Sequence, residues 1–352
     1  MKSKILAATI AAVICVGCVP LISGCDVSTD YTLNYDEDGN KYYTVKCSGY
    51  TTSLTGEYEI PAYYGEGEDY APVREIADQG FASTSLSKII IPSTITKIGT
   101  AAFSYSGSLR SVEFATDSEL TAIPWGAFGY CELLTSITIP ESVTLISGMA
   151  FYSCTGLYDV SLPSGLEGIA QQAFAGCTAL TSITLPESLV SIGAQAFYQT
   201  GLTSIVIPDS VSDIEVISVG DDGNETTTVR AGLGYGAFHS CTALKTAVVG
   251  KGVTTLKSGV FGYCTALEEI WLPKSITAVE GAYYSNGSFL YGHAFHNDTA
   301  LTTVYYAGTT AEWNMLKGNI VSTTVVESSA SYNNSALLNA TIVCEREYEE
   351  NK

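Results

Sequence analysis

Residues 134–154 read LTSITIPESVTLISGMAFYSC. The stretch returns with small changes at 157–177 (LYDVSLPSGLEGIAQQAFAGC), at 180–199 (LTSITLPESLVSIGAQAFYQ) and from 267 (LEEIWLPKSITAVE, then Ala294-Phe295). The shared pattern is Leu-x-x-Ile-x-Ile-Pro-x-x-Val-x-x-Ile-x-x-x-Ala-Phe-x-x-Cys, with a period of 23 residues. A fixed period in this range is the signature of a solenoid, because one such unit cannot bury its apolar side alone and must stack on its neighbours. The expected fold class is a repeat solenoid with short parallel β-strands, mostly β and coil with little helix.

Nine units are counted by the Leu that opens each strand: Leu86, Leu109, Leu134, Leu157, Leu180, Leu202, Leu244, Leu267 and Leu301. The alternation at the end of Leu-x-x-Ile-x-Ile fits a half-buried strand. Pro at 92, 140, 163, 186, 208 and 273 ends it, since Pro has no N–H for a ladder. Val-x-x-Ile on the return side reads as a second short strand or an extended turn. Each opening Leu follows a Phe by five or six residues, at 81, 103, 128, 151, 174, 197, 238, 261 and 295, and Ala precedes seven of these nine. One bulky ring per coil, beside a small residue that lets the backbone close in, predicts a stacked aromatic spine.

The array divides the chain into a targeting segment (1–24), a tether and N-terminal β cap (25–54), the repeats (55–313) and a C-terminal cap and tail (314–352). Around Asp38-Gly39, YTLNY and YYTVKC read as a hairpin. Ile60-Pro61, Val73, Ile76 and Phe81 form a degenerate first unit with an acidic loop from Gly65 to Tyr70. Asp36-Glu37-Asp38-Gly39-Asn40 lacks the register of a calcium loop and reads as a solvated turn. Phe238 follows Pro208 by 30 positions and Phe295 follows Pro273 by 22, where 11 is usual, so two units carry inserts. These fall near 212–233, with the hairpin-like VGDDGNETTTV, and near 280–292, with GAYYSNGSFLYG. Inserts in a solenoid sit on one face and commonly carry function. LLNATIVCE is expected to supply the closing strand.

Sixteen Lys and Arg against 36 Asp and Glu give a formal charge of −20. Such a chain repels phosphate backbones and anionic lipid, which argues against nucleic-acid and membrane-surface binding. The start differs in character. Met1-Lys2-Ser3-Lys4 is basic, residues 5–16 are apolar, and Ile22-Ser23-Gly24-Cys25 resembles the bacterial lipoprotein cleavage box. That resemblance implies lipidation of Cys25 and cleavage before it. No later run reaches the ~18 apolar residues a spanning helix needs, so Cys25 is the expected membrane anchor.

Candidate chemistry is sparse. Cys131, Cys154, Cys177, Cys241 and Cys264 stand three residues before the strand Leu, in a slot that elsewhere holds Ser83, Ser106, Gln199 or Asp298. Stacked coils carry equivalent side chains in parallel, about 5 Å apart, rather than converging. Buried small thiols follow, not disulfides or a metal centre. His293 and His296 precede Asp298 in a His-x-x-His-x-Asp arrangement, but their place beside the spine Phe predicts a surface turn. No Gly-x-Ser-x-Gly elbow, phosphate loop or HExxH is present. The expectation is no enzyme, no metal and no cofactor.

Surface remains. If Leu, Ile and Ile of each strand point inward, the residue before the last of them points out, and along the stack it reads Ile90, Glu113, Thr138, Ser161, Thr184, Val206, Val248, Trp271, Tyr305. The middle is a polar ladder and the C-terminal third turns apolar and aromatic, the composition of an interface anchor. Trp271, Tyr305 and Val248 are therefore the candidate partner-binding residues, with Tyr283, Tyr284, Phe289 and Tyr291 of the second insert. The alternative is that this insert folds over the rings as part of the end cap.

The repeat, with Pro, Ala-Phe and Cys in register several times over, resembles the BspA-type (Treponema pallidum-type) leucine-rich repeat of bacterial surface proteins, over roughly residues 60–313. The run Val304-Tyr305-Tyr306-Ala307-Gly308-Thr309 with Trp313 is similar to the usual ending of such arrays. The resemblance implies a right-handed, curved solenoid with its short strands on the concave side. It also implies surface display and binding of a protein ligand on another cell or in matrix, with adhesion in some members and no catalytic residues. Ala115, Gly250 and Ala307 depart from the pattern by replacing Pro, which is expected to loosen the local curvature. The expectation is a monomeric, lipid-anchored extracellular protein that binds a macromolecule. The alternatives are a surface-coat spacer without a ligand and a glycan-binding surface protein.

Overall fold

Nine phenylalanine rings form the axis of the molecule. From Phe81 to Phe295 each ring stacks on the next, with centroids 5.2 to 5.7 Å apart and planes within 22° of parallel. All nine are fully buried. Burying one such ring contributes about 1.5–3 kcal/mol, and the seven inner rings have rings of the same kind on both sides. The stack runs unbroken across both inserts: Phe197 meets Phe238 at 5.3 Å and Phe261 meets Phe295 at 5.7 Å. The computed structural model describes residues 29–47, 54–212, 215–219, 226–230, 232–281, 283–285, 288–320 and 334–348.

Two parallel ladders run beside this spine. The first is built from the Leu-x-x-Ile-x-Ile segments: Thr55–Glu59, Ser85–Ile91 and Ser111–Phe114; then Ser136–Thr138 and Asp159–Ser161; then Ser204–Val206, Thr246–Val248, Glu269–Leu272, Thr303–Tyr306 and Thr341–Cys344. Residues 181–185 are not strand and interrupt it. The second ladder is made of two-residue strands from Val-x-x-Ile, among them Ala122–Ile123, Leu145–Ile146, Gly168–Ile169, Ser191–Ile192 and Gly232–Leu233. Between the ladders, the carbonyl of Pro140, Pro163, Pro186 or Pro208 accepts the N–H three residues on, closing a turn. Ala115 and Gly250 accept the same bond from Ser118 and Val253, so the missing Pro leaves this turn in place. A Cβ at Gly250 would run into the Pro208 carbonyl, which accounts for glycine there.

The third side of each coil is the Ala-Phe turn, and its backbone hydrogen bonds to the next coil all point one way. The N–H groups of Met149, Phe151 and Ser153 donate to the carbonyls of Gln171, Ala173 and Ala175 in the next coil, and the same triplet recurs along the stack. This follows from alternating backbone handedness. The residue two before the Phe has positive φ (Gln79, Ala101, Gly126, Met149, Gln172, Gln195, Gly236, Gly259), and so does the residue two after it, such as Tyr105, Ser153 or Tyr263.

The cysteine slot is a hydrogen-bonding position. The thiols of Cys131, Cys154, Cys177, Cys241 and Cys264 donate to the carbonyls of Phe103, Phe128, Phe151, Phe197 and Phe238, and no disulfide joins the described cysteines. Ser106 uses its hydroxyl on the Phe81 carbonyl in the same way. Where the Phe–Leu spacing is five, the slot is filled by Thr84 and Thr200, both buried, rather than by Ser83 and Gln199, which take the positive-φ position. Counting back from the Leu misplaces these two; counting forward from the Phe places them. Burial pushes the Cys131 and Cys177 thiols up to about 12, so they stay protonated donors.

Both ends are closed. Thr29–Tyr35 and Lys41–Cys47 form an antiparallel hairpin, and its second strand pairs in parallel with Ala71–Ile76, which leads into the return ladder at Lys97–Ile98. The hairpin-turn carboxylate of Asp36 accepts the N–H groups of Asp38 and Asn40 and pairs with Arg74 at 3.0 Å. At the other end, Thr341–Cys344 extends the strand ladder beyond Thr303–Tyr306. The helix Thr310–Asn319, started by a capping box between Thr309 and Glu312, packs Trp313 against Tyr306. The helix spans the expected array boundary at 313.

His293, His296 and Asp298 are buried, at 0%, 4% and 1% exposure, which overturns the expected surface turn. The reason is their register against the preceding coil: the His296 ring meets Tyr263 edge to face at 4.8 Å, and Asp298 Oδ1 accepts the Cys264 N–H. Asn334 Oδ1 accepts the Phe295 N–H, the outermost of the turn ladder, and its Nδ2 donates to the Glu280 carbonyl.

Candidate functional site

The outward row of the strand ladder is in register. Val206 pairs with Val248, Val248 with Trp271, Trp271 with Tyr305, and Tyr305 with Val343. Val206, Val248, Trp271 and Tyr305 are each flanked in sequence by buried neighbours, such as Ile205 and Ile207 or Ile270 and Leu272, so the pleat turns them outward. Thr138, Ser161 and Thr184, earlier in the row, are exposed as expected.

Trp271 and Tyr305 stack face to face with centroids 3.9 Å apart and planes 15° from parallel. Val206, 38% exposed, and Val248, 8% exposed, are short by comparison. The step in height between Val248 and Trp271 leaves a groove of about 790 Å³ lined by Val206, Val248, Gly250, Trp271, Pro273 and Tyr348 among others. Tyr348 meets Trp271 edge to face at 5.5 Å. Val248 is therefore floor rather than anchor.

Charge changes sign along the groove. The position after the Pro reads Glu141, Ser164, Glu187, Asp209, Lys251, Lys274 from coil to coil. These positions touch across coils: Glu141 accepts the Ser164 N–H, and Asp209 accepts the Lys251 N–H. The Lys251 ammonium lies 3.7 Å from both Asp209 and Glu347. Lys274 and Glu312 complete the rim, and the backbone N–H of Thr309, then its hydroxyl, hold the Glu312 carboxyl below the usual range.

The four insert aromatics fall in an antiparallel hairpin, Tyr283–Ser285 with Ser288–Tyr291, in which Tyr283 pairs with Tyr291 and Tyr284 with Phe289. It opens after the return strand Ala278–Val279, whereas Trp271 and Tyr305 belong to the other ladder. The side chains of Tyr283, Tyr284, Phe289 and Tyr291 lie outside the described residues, as do Cys25 and the whole targeting segment. The first insert is also a hairpin, Glu215–Val219 with Thr226–Arg230. Tyr348, Val343 and the two lysines escaped the sequence reading. The lysines were findable, because the post-Pro row changes sign where the strand row turns aromatic. Among the described residues no group of His, Cys, Asp or Glu is arranged to hold a metal, and no helix is long and apolar enough to cross a membrane.

This geometry defines a leucine-rich repeat solenoid with one aromatic end to its strand face. Residues 74–172, 115–218 and 227–314 match the BspA type leucine rich repeat region, in six copies. The chain belongs to that family. No curated protein matches it. Among solved structures it is similar to a leucine rich cell surface protein from Faecalibacterium prausnitzii, at 24% identity over 83% of this chain and 98% of that one, with a TM-score of 0.39. It is similar to the leucine rich repeat protein of T. pallidum at 22% identity, over 67% and 87% of the two chains, with a TM-score of 0.42. The pneumococcal vaccine antigen PcpA is similar at 18% identity, over 90% and 97%, with a TM-score of 0.42.

Proposed function

We propose that this chain is a bacterial cell-surface protein, anchored by a lipid on Cys25, that binds another protein without catalysis through the strand face at Trp271 and Tyr305. The observation that carries the reading is the in-register row itself. A polar ladder becomes a stacked Trp–Tyr pair beside an open groove, and large aromatics left at a surface edge are the residues that anchor interfaces. Membership of a surface-protein repeat family and the lipoprotein-like start support display outside the cell. A spacer would have no use for the aromatic step.

The test uses the mature chain on beads with host and microbial extracts. Binding that is lost when the target is treated with protease supports a protein ligand, and binding that survives protease points to a glycan. For the anchor, metabolic labelling with a fatty-acid probe is expected in the wild type and absent in Cys25→Ala. Label retained by that variant would sink the lipoprotein reading.

A further inference from the structure

We propose that the groove beside Trp271 takes an extended, acidic peptide carrying an aromatic side chain next to a carboxylate, and that residues 346–348 of this chain, which line one side of that groove, cover its Trp271 and Lys251 contacts and compete with it. The inference rests on the reading of this face as a protein-binding surface. The seated segment is Arg346-Glu347-Tyr348, which follows the last strand. Tyr348 places its ring against Trp271 at 5.5 Å yet stays 41% exposed, so it is seated without being sealed in. The Glu347 carboxylate lies 3.7 Å from the Lys251 ammonium. An aromatic ring on Trp271 and a carboxylate on Lys251 are thus held at adjacent positions of one extended chain.

Two lysines beside Trp271 supply local partners for a carboxylate, on a rim that also carries Glu187, Asp209 and Glu312. In a chain with 16 basic and 36 acidic residues, the post-Pro row is acidic through Glu141, Glu187 and Asp209 and becomes lysine in the two coils that flank the groove. The occupying segment is weakly tied. The Glu345 N–H donates to the Gly308 carbonyl at 2.9 Å and the Arg346 N–H to the Tyr306 carbonyl at 3.2 Å, and beyond Arg346 the described contacts are made by side chains. A tethered occupant acts at an effective concentration in the millimolar range, so it masks weak ligands and yields to tighter ones.

The experiment is fluorescence anisotropy with a labelled peptide that has the sequence of residues 345–350, Glu-Arg-Glu-Tyr-Glu-Glu, titrated with the mature chain. Tyr348→Ala is expected to bind it at least tenfold more tightly than the wild type. Adding Lys251→Glu is expected to remove most of that gain, and replacing the peptide's Tyr with Ser to abolish binding. Melting temperatures of the variants control for folding. Equal binding by Tyr348→Ala and wild type, or binding indifferent to Lys251→Glu, would overturn the proposal. If the peptide fails while capture of a protein from extract still depends on Trp271, the ligand chemistry alone is wrong. If capture ignores Trp271, the underlying reading falls with it.

Discussion

Ala101 sits in the left-handed region with φ of 52°, in a slot that Gly126, Gly236 and Gly259 fill in other coils. An L-residue there carries a steric cost of about 1–2 kcal/mol, partly offset by the chain entropy that glycine brings to the unfolded state. Ala101→Gly should therefore stabilise the protein by about 0.5–1 kcal/mol, read as a higher urea midpoint at unchanged m; a lower midpoint contradicts this account of the turn. Asp298 is the opposite case, an acid in the cysteine slot. Its Oδ1 accepts the Cys264 N–H, while burial raises its pKa well above the ordinary 3.8. The folded state then holds a proton that the unfolded chain releases. The stability tied to that proton is complete below about 3.8 and declines as pH rises towards the folded value. Asp298→Ser places a hydroxyl where Ser106 already works, and should gain on the wild type as pH rises above about 4, levelling off once the folded value is passed. Parallel denaturation curves at pH 4 to 7 check it, and a constant difference contradicts it. That the slot was a ladder could be read from the recurring Cys. That it was a donor to the spine carbonyl could not, because backbone direction is not written in side-chain periodicity.

At the level of elements, the repeat, the N-terminal hairpin and the closing strand were legible, and the helix and the Asn that finish the last coils were not. Strands ending before Pro, return strands at Val-x-x-Ile and the phenylalanine spine all follow from spacing alone. The helix Thr310–Asn319 was missed although Thr309 and Glu312 spell a capping box, because array periodicity was carried through Trp313. Asn334 was equally invisible: nothing local marks an Asn as the cap of a ladder built around 40 residues earlier. Its side chain satisfies the buried Phe295 N–H and the Glu280 carbonyl. Asn334→Ala leaves both without that partner and should cost about 1–3 kcal/mol. Hydrogen exchange should show the loss concentrated in the last coils, since repeat stability is set by nearest neighbours. Uniform loss across the stack would contradict the end-cap role.

For the whole molecule, the sequence row from Ile90 to Tyr305 located one end of the candidate site, because in-register stacking turns a list of equivalent positions into a physical line. The row also contained Val248, which proves to be the groove floor, whereas Tyr348 and Val343 arise from how the chain returns over its own sheet. Periodicity ends before that segment begins. The division of labour is a regular scaffold from coil to coil and a single irregular face at its C-terminal third. The most direct test is the affinity of the captured protein ligand for Trp271→Ala/Tyr305→Ala, beside Thr138→Ala/Ser161→Ala from the polar part of the same row. The account predicts at least a hundredfold loss for the aromatic pair, consistent with hot-spot residues worth ~2 kcal/mol or more each, at nearly unchanged melting temperature. It predicts no change for the polar pair. Equal affinity for both variants would contradict it.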